Sequence, residues 1–434
     1  MIRRGESPRR AWLALVGWLL LTACGGVYRT PGGAAPPAAE TEGPRFAAEP
    51  AIRVGLTWGD STVAIGSAAR WWIHETGASQ PIAVIDGAAP WTLVRLPFET
   101  AIRVRRPDGF LSEAHAGPLT AEPLTGGPLT VNGTAYPGAI DLLVRGDGTL
   151  TAVNVVPIET YLEGVVPKEL GRPGAPAWEA LRAQAVAART YALKRLGSRA
   201  ALGFDVFGTV QDQAYQGVAQ AADSLAQRAV HETRGEALLY NGYLIDAFYH
   251  STCGGETARV EQVFGGAPAP YLTAVSDAKP GGGYWCQASR YFRWSATFDA
   301  AELEAMVRRN LPGLVPLPRT GAGTLRDMEL LAATPEGRAL TVRVTTTTGQ
   351  YLVGQNGIRT LFTDAENHLL RSTLFLFRPS HQGGRLTQVT LTGGGWGHGL
   401  GMCQVGAMGR SRAGQRYRDI LQAYYPGVTI AALY

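Results

Sequence analysis

Three stretches of the chain hold residue types that could do chemistry, and the first is 156–170. Glu169 follows an apolar Val-Val-Pro run there and is followed by Leu170. Because apolar surroundings disfavour a charged carboxyl group, we expect its pKa to rise toward the range that suits a general acid. An exposed loop glutamate is the alternative interpretation. Other glutamates compete on equal terms, namely Glu159, Glu163 and Glu179.

The second stretch, 247–257, contains His250 and Cys253. These side chains could be a base and its nucleophile, two metal ligands, or two residues packed in a core. A metal site would need further ligands. The candidates elsewhere in the chain are Cys286, His398 and Cys403. Their spacings match no standard zinc pattern, so the residues alone leave all three interpretations open.

The third stretch, 393–407, is rich in glycine, with seven glycines between positions 393 and 406. Such a run indicates backbone that bends sharply or approaches another group closely. No Gly-Lys-Ser/Thr sequence follows, so it is not a phosphate-binding loop. Trp396 and His398 within these glycines suit a sugar platform, in which an aromatic face stacks on a pyranose ring. The alternative is a system of glycine turns around a buried tryptophan.

Composition excludes several classes of protein. Of 434 residues, 45% are hydrophobic and 17% are charged, so the whole chain is neither disordered nor a coiled coil. A mean hydropathy of −0.03 excludes a polytopic membrane protein. The net charge of +5 arises largely from arginines near the N-terminus, and no basic run with interleaved aromatic residues follows. We therefore predict no nucleic-acid partner.

The N-terminus has the features of a targeting segment. An arginine-rich start is followed by an apolar run over 11–21 and then by Leu-Thr-Ala-Cys ending at Cys24. This pattern resembles a bacterial lipoprotein signal, which implies cleavage before Cys24, lipidation of its thiol and an extracytoplasmic, membrane-anchored protein. A plain secreted protein with a chance cysteine is the alternative. The Pro-rich segment 24–50 is predicted to be a flexible tether.

The remaining sequence predicts an α+β fold, with a strand-rich main domain, one central helix and an inserted smaller α/β subdomain. Short apolar segments separated by turn residues indicate strands, and Gly146-Asp147-Gly148 indicates a hairpin between 140–144 and 150–156. An alanine-rich helix should span Trp178–Lys194, with Gly197 placed as its C-terminal cap. The predicted divisions are a signal peptide (1–23), the tether (24–50), a strand-rich N-terminal region (51–138), a first core part (139–289), the inserted subdomain (290–375) and a second core part (376–434).

Taken together and in this order, the three stretches resemble the stage II sporulation protein D family, also called SpoIID/LytB. The helical sequence at 183–191 and the segment 371–375 extend the match, which covers at least residues 139–426. The resemblance implies a lytic transglycosylase of peptidoglycan, cleaving the β-1,4 bond between N-acetylmuramic acid and N-acetylglucosamine. The product carries a 1,6-anhydro end, and glycan stripped of its peptides is preferred. Other members are described as amidase enhancers.

The resemblance also implies roles for individual residues. Glu169 would be the catalytic acid, with His250 and His398 assisting it. The residues implied to bind substrate are Gln184, Arg189, Tyr191, Ser251, Trp396 and Gln404. No cofactor is required, although some members hold zinc, and His250, Cys253 and Cys286, with Cys403, are the candidate ligands here. A Cys253–Cys286 or Cys253–Cys403 disulfide is the alternative.

Three functions are therefore carried forward. The first is a membrane-tethered transglycosylase whose partners are peptidoglycan strands and, through Cys24, a membrane. The second is a glycan-binding lipoprotein that activates a cell-wall amidase without a reaction of its own. The third is acyl transfer by Cys253 or Cys403, with His250 or His398 as the base.

Overall fold

The computed structural model describes residues 45–96, 100–217 and 224–434. The predicted signal peptide, Cys24 and most of the predicted tether lie outside the described residues. Strands and helices are both abundant, and the predicted α+β class is confirmed. No helix in the described ranges is both apolar enough and long enough to cross a bilayer.

The strands of the first half of the chain are β1 (Ala51–Gly55), β2 (Thr62–Gly66), β3 (Trp71–Glu75), β4 (Pro81–Ile85), β5 (Trp91–Val94), β6 (Arg103–Arg105), β7 (Leu119–Pro123), β8 (Leu129–Val131), β9 (Thr134–Tyr136), β10 (Ala139–Val144) and β11 (Leu150–Pro157). Those of the second half are β12 (Val206–Phe207), β13 (Glu236–Tyr240), β14 (Tyr243–Leu244), β15 (Tyr249–His250), β16 (Trp294–Asp299), β17 (Leu325–Ala333), β18 (Ala339–Thr346), β19 (Gly349–Gly354), β20 (Phe375–Gln382), β21 (Arg385–Gly393), β22 (Met402–Cys403) and β23 (Thr429–Ala432). The α-helices are α1 (Ile158–Leu170), α2 (Trp178–Arg195), α3 (Ser224–Glu232), α4 (Val260–Val263), α5 (Ala300–Asn310), α6 (Gly357–Leu361), α7 (Gln404–Arg412) and α8 (Tyr417–Tyr424).

Two sheets form the strand-rich part of the molecule. One has the order β12-β1-β11-β10-β7-β3-β4, and the other has the order β6-β5-β2-β8-β9. Alternate apolar residues of both sheets, such as Ile65 and Ile73, share one buried core. The predicted hairpin is present as β10 and β11. Because these two strands pair with β7 and β1, the predicted boundary at 138/139 does not separate two structural units.

The alanine-rich helix α2 is central, as its sequence pattern predicts. It packs against α1, α3, α7, α8 and β13, and its residues from Ala183 to Leu193 are all buried. Small alanine side chains allow these neighbours to approach the helix axis closely. The segment before it, which the sequence suggested to be a loop around Glu169, is the helix α1. Burial of Val165 and Val166 stabilises that helix, although Pro167 lies within its last turn.

The inserted subdomain has a hydrophobic core of its own. Strand β16 pairs with β21, which pairs with β20, while β17, β18 and β19 form a second sheet. The core contains Trp294 near one end of the insertion and Leu391 near the other. The predicted limit at residue 375 was therefore too early, because β20 and β21 bury their apolar faces in this subdomain rather than in the main core.

Candidate functional site

The site is centred on Glu169, which lies in the last turn of α1 and is half-buried. Its carboxylate Oε1 accepts a hydrogen bond from the backbone N–H of Ala214 at 2.7 Å. Ala214 belongs to a loop that follows β12, more than forty residues further along the chain. The carboxyl group is therefore held by the backbone of a separate segment.

Buried polar contacts fix that loop. Asp212 accepts hydrogen bonds from the Tyr191 hydroxyl (2.7 Å) and from Arg199 (3.0 Å). The next residue, Gln213, is fully buried and donates to the carbonyl of Ala188 (3.2 Å) and to the Tyr249 hydroxyl (2.9 Å). Tyr191, predicted to bind substrate, thus helps to position the loop that carries the Ala214 N–H.

The three chemistry-bearing stretches meet at this point. Strands β15 and β22 pair in parallel, with His250 opposite Cys403. The following residue, Gln404, donates from Nε2 to the carbonyl oxygen of Glu169 (3.3 Å) and to Oε1 of Gln184 (3.4 Å). Gln404 and Gln184 are both buried. The second and third stretches are therefore joined to each other and, through Gln404, to the first.

Burial raises the pKa of the Glu169 carboxyl group above its usual value. Hydrogen bonds from Ala214 and Gln404, and the charge of Lys168, favour the carboxylate and oppose this rise. No second carboxylate is among the described groups that perturb Glu169. The arrangement can hold a proton at a higher pH than an exposed glutamate can, and it can also stabilise the carboxylate after the proton leaves.

A cleft of about 700 Å³ lies beside this end of α1. Lys168 and Arg172 line one part of it, and the β8–β9 hairpin and the loop 215–217 line the rest. Gly164 also borders the cleft, where an added Cβ would contact the ring of Tyr215 and the carbonyl of Gly217. The cleft is therefore shaped partly by the N-terminal strands and partly by the loop that binds Glu169.

The two histidines adjoin each other, with ring centroids 5.6 Å apart. His250 is buried, its Nδ1–H donates to the carbonyl of Leu400 (2.9 Å), and its Nε2 has no partner among the described residues. Burial lowers the pKa of His250 to about 4. Burial and the neighbouring His250 lower the pKa of His398 well below its usual value. Both rings are thus neutral at neutral pH, and their described contacts do not include the Glu169 carboxylate.

Of the other predicted contact residues, Trp396 is the most accessible. Its side chain is 38% exposed and its ring packs edge-on against Tyr291 at 4.0 Å, so an aromatic surface faces solvent. Ser251 is half-buried, and its hydroxyl lies 3.3 Å from that of Thr252. A buried tryptophan, the alternative interpretation of the glycine-rich stretch, is not what the structure contains.

Arg189 occupies a different environment from the one that substrate binding needs. Its side chain is fully buried and pairs with both carboxylate oxygens of Glu159 at 2.8 and 2.7 Å. It also donates to the carbonyls of Val230 and Glu236, both at 3.1 Å. A substrate outside the core cannot reach this guanidinium group, so its role in this structure is to hold α1, α2 and α3 together.

The three cysteines after Cys24 converge but are not bonded to one another. The Sγ atoms of Cys253 and Cys286 are 3.4 Å apart, and Cys403 and Asp277 complete a buried group. His250 does not belong to this group, which corrects its place in the predicted ligand set. Because all three thiols are buried, they are also poorly placed to be nucleophiles for acyl transfer.

Sequence reasoning missed three groups, two of them in the contacts around Glu169 and one among the cysteines. They are the Ala214 N–H, the Tyr249 hydroxyl and the Asp277 carboxylate. A backbone donor leaves no signature in residue type, and neither Tyr249 nor Asp277 has a spacing that marks it. Their roles follow only from the three-dimensional contacts.

Fold and site together define an α+β protein in which a single half-buried glutamate is held between a helix end and two distant segments. Two family models match parts of the chain. A family model described as stage II sporulation protein (SpoIID) matches residues 146–240, and one described as a domain of unknown function (DUF8618) matches residues 280–401.

Three relatives illustrate the similarity. An uncharacterised protein of Brachyspira hyodysenteriae is 33% identical over 69% of this chain and 73% of its own length. Stage II sporulation protein D of Bacillus amyloliquefaciens is 31% identical over 64% of this chain and 76% of its own length. The amidase enhancer of Bacillus subtilis is 30% identical over 62% of this chain, and the match spans 40% of that protein. The chain belongs to the SpoIID family, as its three sequence motifs indicate.

Proposed function

We propose that this protein is a lytic transglycosylase of peptidoglycan, in which Glu169 acts first as the general acid and then as the general base. The observation that carries the proposal is the environment of Glu169. Its carboxyl group is half-buried with a raised pKa and accepts a hydrogen bond from the backbone N–H of Ala214, and the adjoining residues Lys168 and Tyr215 line a large cleft. These properties suit a group that must hold a proton before the reaction and release it during the reaction.

One carboxyl group suffices for this reaction. The protonated Glu169 gives its proton to the glycosidic oxygen as that oxygen leaves C1 of the muramoyl sugar. The resulting carboxylate takes the proton from the C6 hydroxyl of the same sugar, and the C6 oxygen closes onto C1. The bond between C1 and the leaving oxygen breaks, the bond between C1 and the C6 oxygen forms, and the proton count on the enzyme is restored.

No carboxylate is among the described groups that shift the pKa of Glu169, and this supports the route over hydrolysis. Hydrolytic glycosidases use a second carboxylate, about 5–9.5 Å from the first, to activate water or to form a covalent intermediate. Here the neighbours of the Glu169 carboxyl group are the Ala214 N–H, the Gln404 amide and Lys168. These donors stabilise the carboxylate after its first proton transfer.

The cleft supports the substrate class. Lys168 and Arg172 give it a cationic border. N-acetylmuramic acid that has lost its peptide carries a free lactyl carboxylate, which such a border attracts. Trp396, with its exposed ring, offers a stacking surface for a further sugar. We therefore propose glycan strands stripped of peptide as the substrate.

The location of the reaction is also a proposal. The basic start, the apolar run and Cys24 are the pattern of a lipoprotein signal, so the enzyme would be anchored to a membrane outside the cytoplasm. Lipid chains buried in a bilayer contribute about 0.8 kcal/mol per methylene group. An enzyme held in this way would act on wall glycan within reach of the 24–50 segment.

A second candidate is a glycan-binding protein that stimulates a cell-wall amidase. The similarity to the amidase enhancer of Bacillus subtilis favours it. Two measurements separate the candidates. Purified protein is incubated with peptide-free glycan and the products are analysed by mass spectrometry, and in parallel its effect on a purified wall amidase is measured. A transglycosylase yields 1,6-anhydro-muramoyl ends without a partner, whereas an enhancer binds the glycan, releases no new ends and accelerates the amidase.

A further inference from the structure

Four buried side chains form a group that does not include Glu169. The sulfur atoms of Cys253, Cys286 and Cys403 and a carboxylate oxygen of Asp277 all lie within 4.8 Å of one another. The four residues are between 0 and 1% exposed. In a tetrahedral zinc site with Zn–S bonds of about 2.3 Å, neighbouring sulfurs are about 3.8 Å apart. The group therefore has the dimensions of a metal coordination shell.

Hydrogen bonds already orient two of the four ligand groups, those of Cys403 and Asp277. The Sγ atom of Cys403 accepts N–H bonds from Cys253 (3.2 Å) and Gly406 (3.3 Å). The Asp277 carboxylate accepts bonds from the Cys286 N–H (2.9 Å) and the Tyr424 hydroxyl (2.5 Å). Outer contacts of this kind orient metal ligands and spread the charge of bound thiolates.

A cation would also balance the negative charge of the ligand groups. Asp277 is fully buried, and no described Lys, Arg or His forms an ion pair with it. A buried carboxyl group without a cationic partner takes up a proton, and a bound metal ion would favour its charged form instead. Three thiolates and a carboxylate on a divalent ion carry a net charge of −2. The buried guanidinium of Arg338, which donates to the carbonyl of Cys253 (3.4 Å), lies where it offsets part of that charge.

Glycines let the ligand-bearing segments approach one another. At Gly406 an added Cβ would collide with the Tyr424 hydroxyl and with Asp277. At Gly409 it would collide with the backbone of Trp285, next to Cys286. Helix α7 can therefore lie directly on the turn 285–288 because Gly409 lacks a side chain, and Gly406 leaves room for Asp277 and Tyr424.

The histidine ligand that the family resemblance implies does not fit this group. The Nδ1–H of His250 is used by the carbonyl of Leu400, and its ring nitrogens are not within the group of ligand atoms. We propose that this chain binds one divalent soft metal ion, zinc by its chemistry, through Cys253, Asp277, Cys286 and Cys403, and not through His250.

Such an ion would connect the two parts of the core that the insertion separates. Cys253 and Cys286 precede the inserted subdomain and Cys403 follows it. Cys403 directly precedes Gln404, which contacts Glu169. The ion thus acts as a positioning element for the third stretch, and its binding does not depend on which reaction Glu169 performs.

The test uses the full chain with Cys24→Ser, so that only three thiols remain, prepared under reducing conditions with zinc. We expect about one zinc per chain by elemental analysis, as for a closed structural site. Replacement by Co(II) should give intense thiolate-to-cobalt absorption and the visible bands of a tetrahedral ion. In variants, Asp277→Asn and Cys286→Ser should weaken Co(II) binding at least tenfold. The control His250→Gln should bind Co(II) within about twofold of the parent chain, because its ring nitrogens are not ligands.

Because a cysteine variant can fail to fold, the parent chain carries an independent readout. A mercurial reagent added to the zinc-loaded protein should release the zinc as three thiols react. Failure to retain zinc or Co(II), or a Cys253–Cys286 disulfide in the mass spectrum of the zinc-loaded chain, would overturn the proposal. Loss of the metal in the His250→Gln variant would overturn the ligand set.

Discussion

The buried pair Arg189–Glu159 offers a sharp test of the difference between a structural and a substrate-binding arginine. The change is Arg189→Met, which keeps much of the side-chain volume and removes the charge. The guanidinium is fully buried and makes two bonds to the carboxylate and two to backbone carbonyls. Removing one partner of a buried ion pair typically destabilises a protein by about 3–5 kcal/mol. Glu159 keeps the Gly235 N–H and the Tyr434 hydroxyl, so we expect a value near 3 kcal/mol.

The assay is urea unfolding at neutral pH. Arg182 provides a matched control on the same helix, because it pairs with Glu179 and both side chains are 22% exposed. Arg182→Met should lower the free energy of unfolding by about 1 kcal/mol or less. The double variant Arg189→Met/Glu159→Gln should regain part of the loss, since it leaves no unpaired charge in the core.

Acid unfolding gives the same pair a second signature. Burial alone would raise the pKa of Glu159, but the hydrogen bonds and charge of Arg189 outweigh it and hold the pKa below the usual value. The pair therefore stabilises the fold at neutral pH, and this contribution is lost as the pH falls through the lowered pKa. The reasoning is refuted if Arg189→Met unfolds at the parent urea concentration while glycan binding or turnover is lost, because a substrate-binding arginine would behave in that way.

Three further predictions concern the proposed acid Glu169, the exposed aromatic surface and the packing of α7. The transglycosylase rate should be highest at low pH and should fall as the pH rises through the raised pKa of Glu169, because the acid must begin protonated. A pH profile in which the rate rises over that range would contradict this prediction. Trp396→Ala should weaken binding to peptide-free glycan several-fold in a sedimentation assay while lowering the free energy of unfolding by only about 1 kcal/mol, the size of one aromatic contact. Gly409→Ala should lower the free energy of unfolding by about 1–3 kcal/mol, because the new methyl group meets the backbone of Trp285. The control Gly146→Ala should change it little, because the added Cβ meets nothing within 4 Å. Equal unfolding curves for the two variants would refute the packing argument.

Local sequence patterns predicted the elements that depend on local forces. The Asp-Gly turn between β10 and β11 and the alanine pattern of α2 each specify one structure through turn chemistry and side-chain size. Helix α1 was not predicted, because Pro167 and the turn after it favour a loop. Burial of Val165 and Val166 against the core outweighs that preference, and no local pattern records it.

The site was predictable only in part. The family resemblance of the motifs predicted Glu169 as the acid and predicted that three distant stretches form one site. The structure shows contacts between these stretches at Gln404 and between β15 and β22. The partners of individual side chains could not be predicted. Arg189 and Glu159 are 30 residues apart in the chain, so no local pattern indicates that they pair. Asp277 lies among the three cysteines only because separate segments of the chain converge there.

The central claim is that Glu169 alone transfers the proton in both directions while the glycan is cut without water. Its most direct test compares Glu169→Gln with Glu163→Gln on peptide-free glycan in water enriched in oxygen-18, with the products analysed by mass spectrometry. Glu163 is a matched control, because it lies on the same helix and binds only Gln227 and the exposed His231 through described contacts.

We predict anhydro-muramoyl ends free of oxygen-18 from the parent chain and from Glu163→Gln. The Glu169→Gln variant should lose about 10²–10⁴-fold in rate while remaining folded, since it lacks the acid–base group. Products that contain oxygen-18, or a Glu169→Gln variant as fast as the parent chain, would contradict the claim.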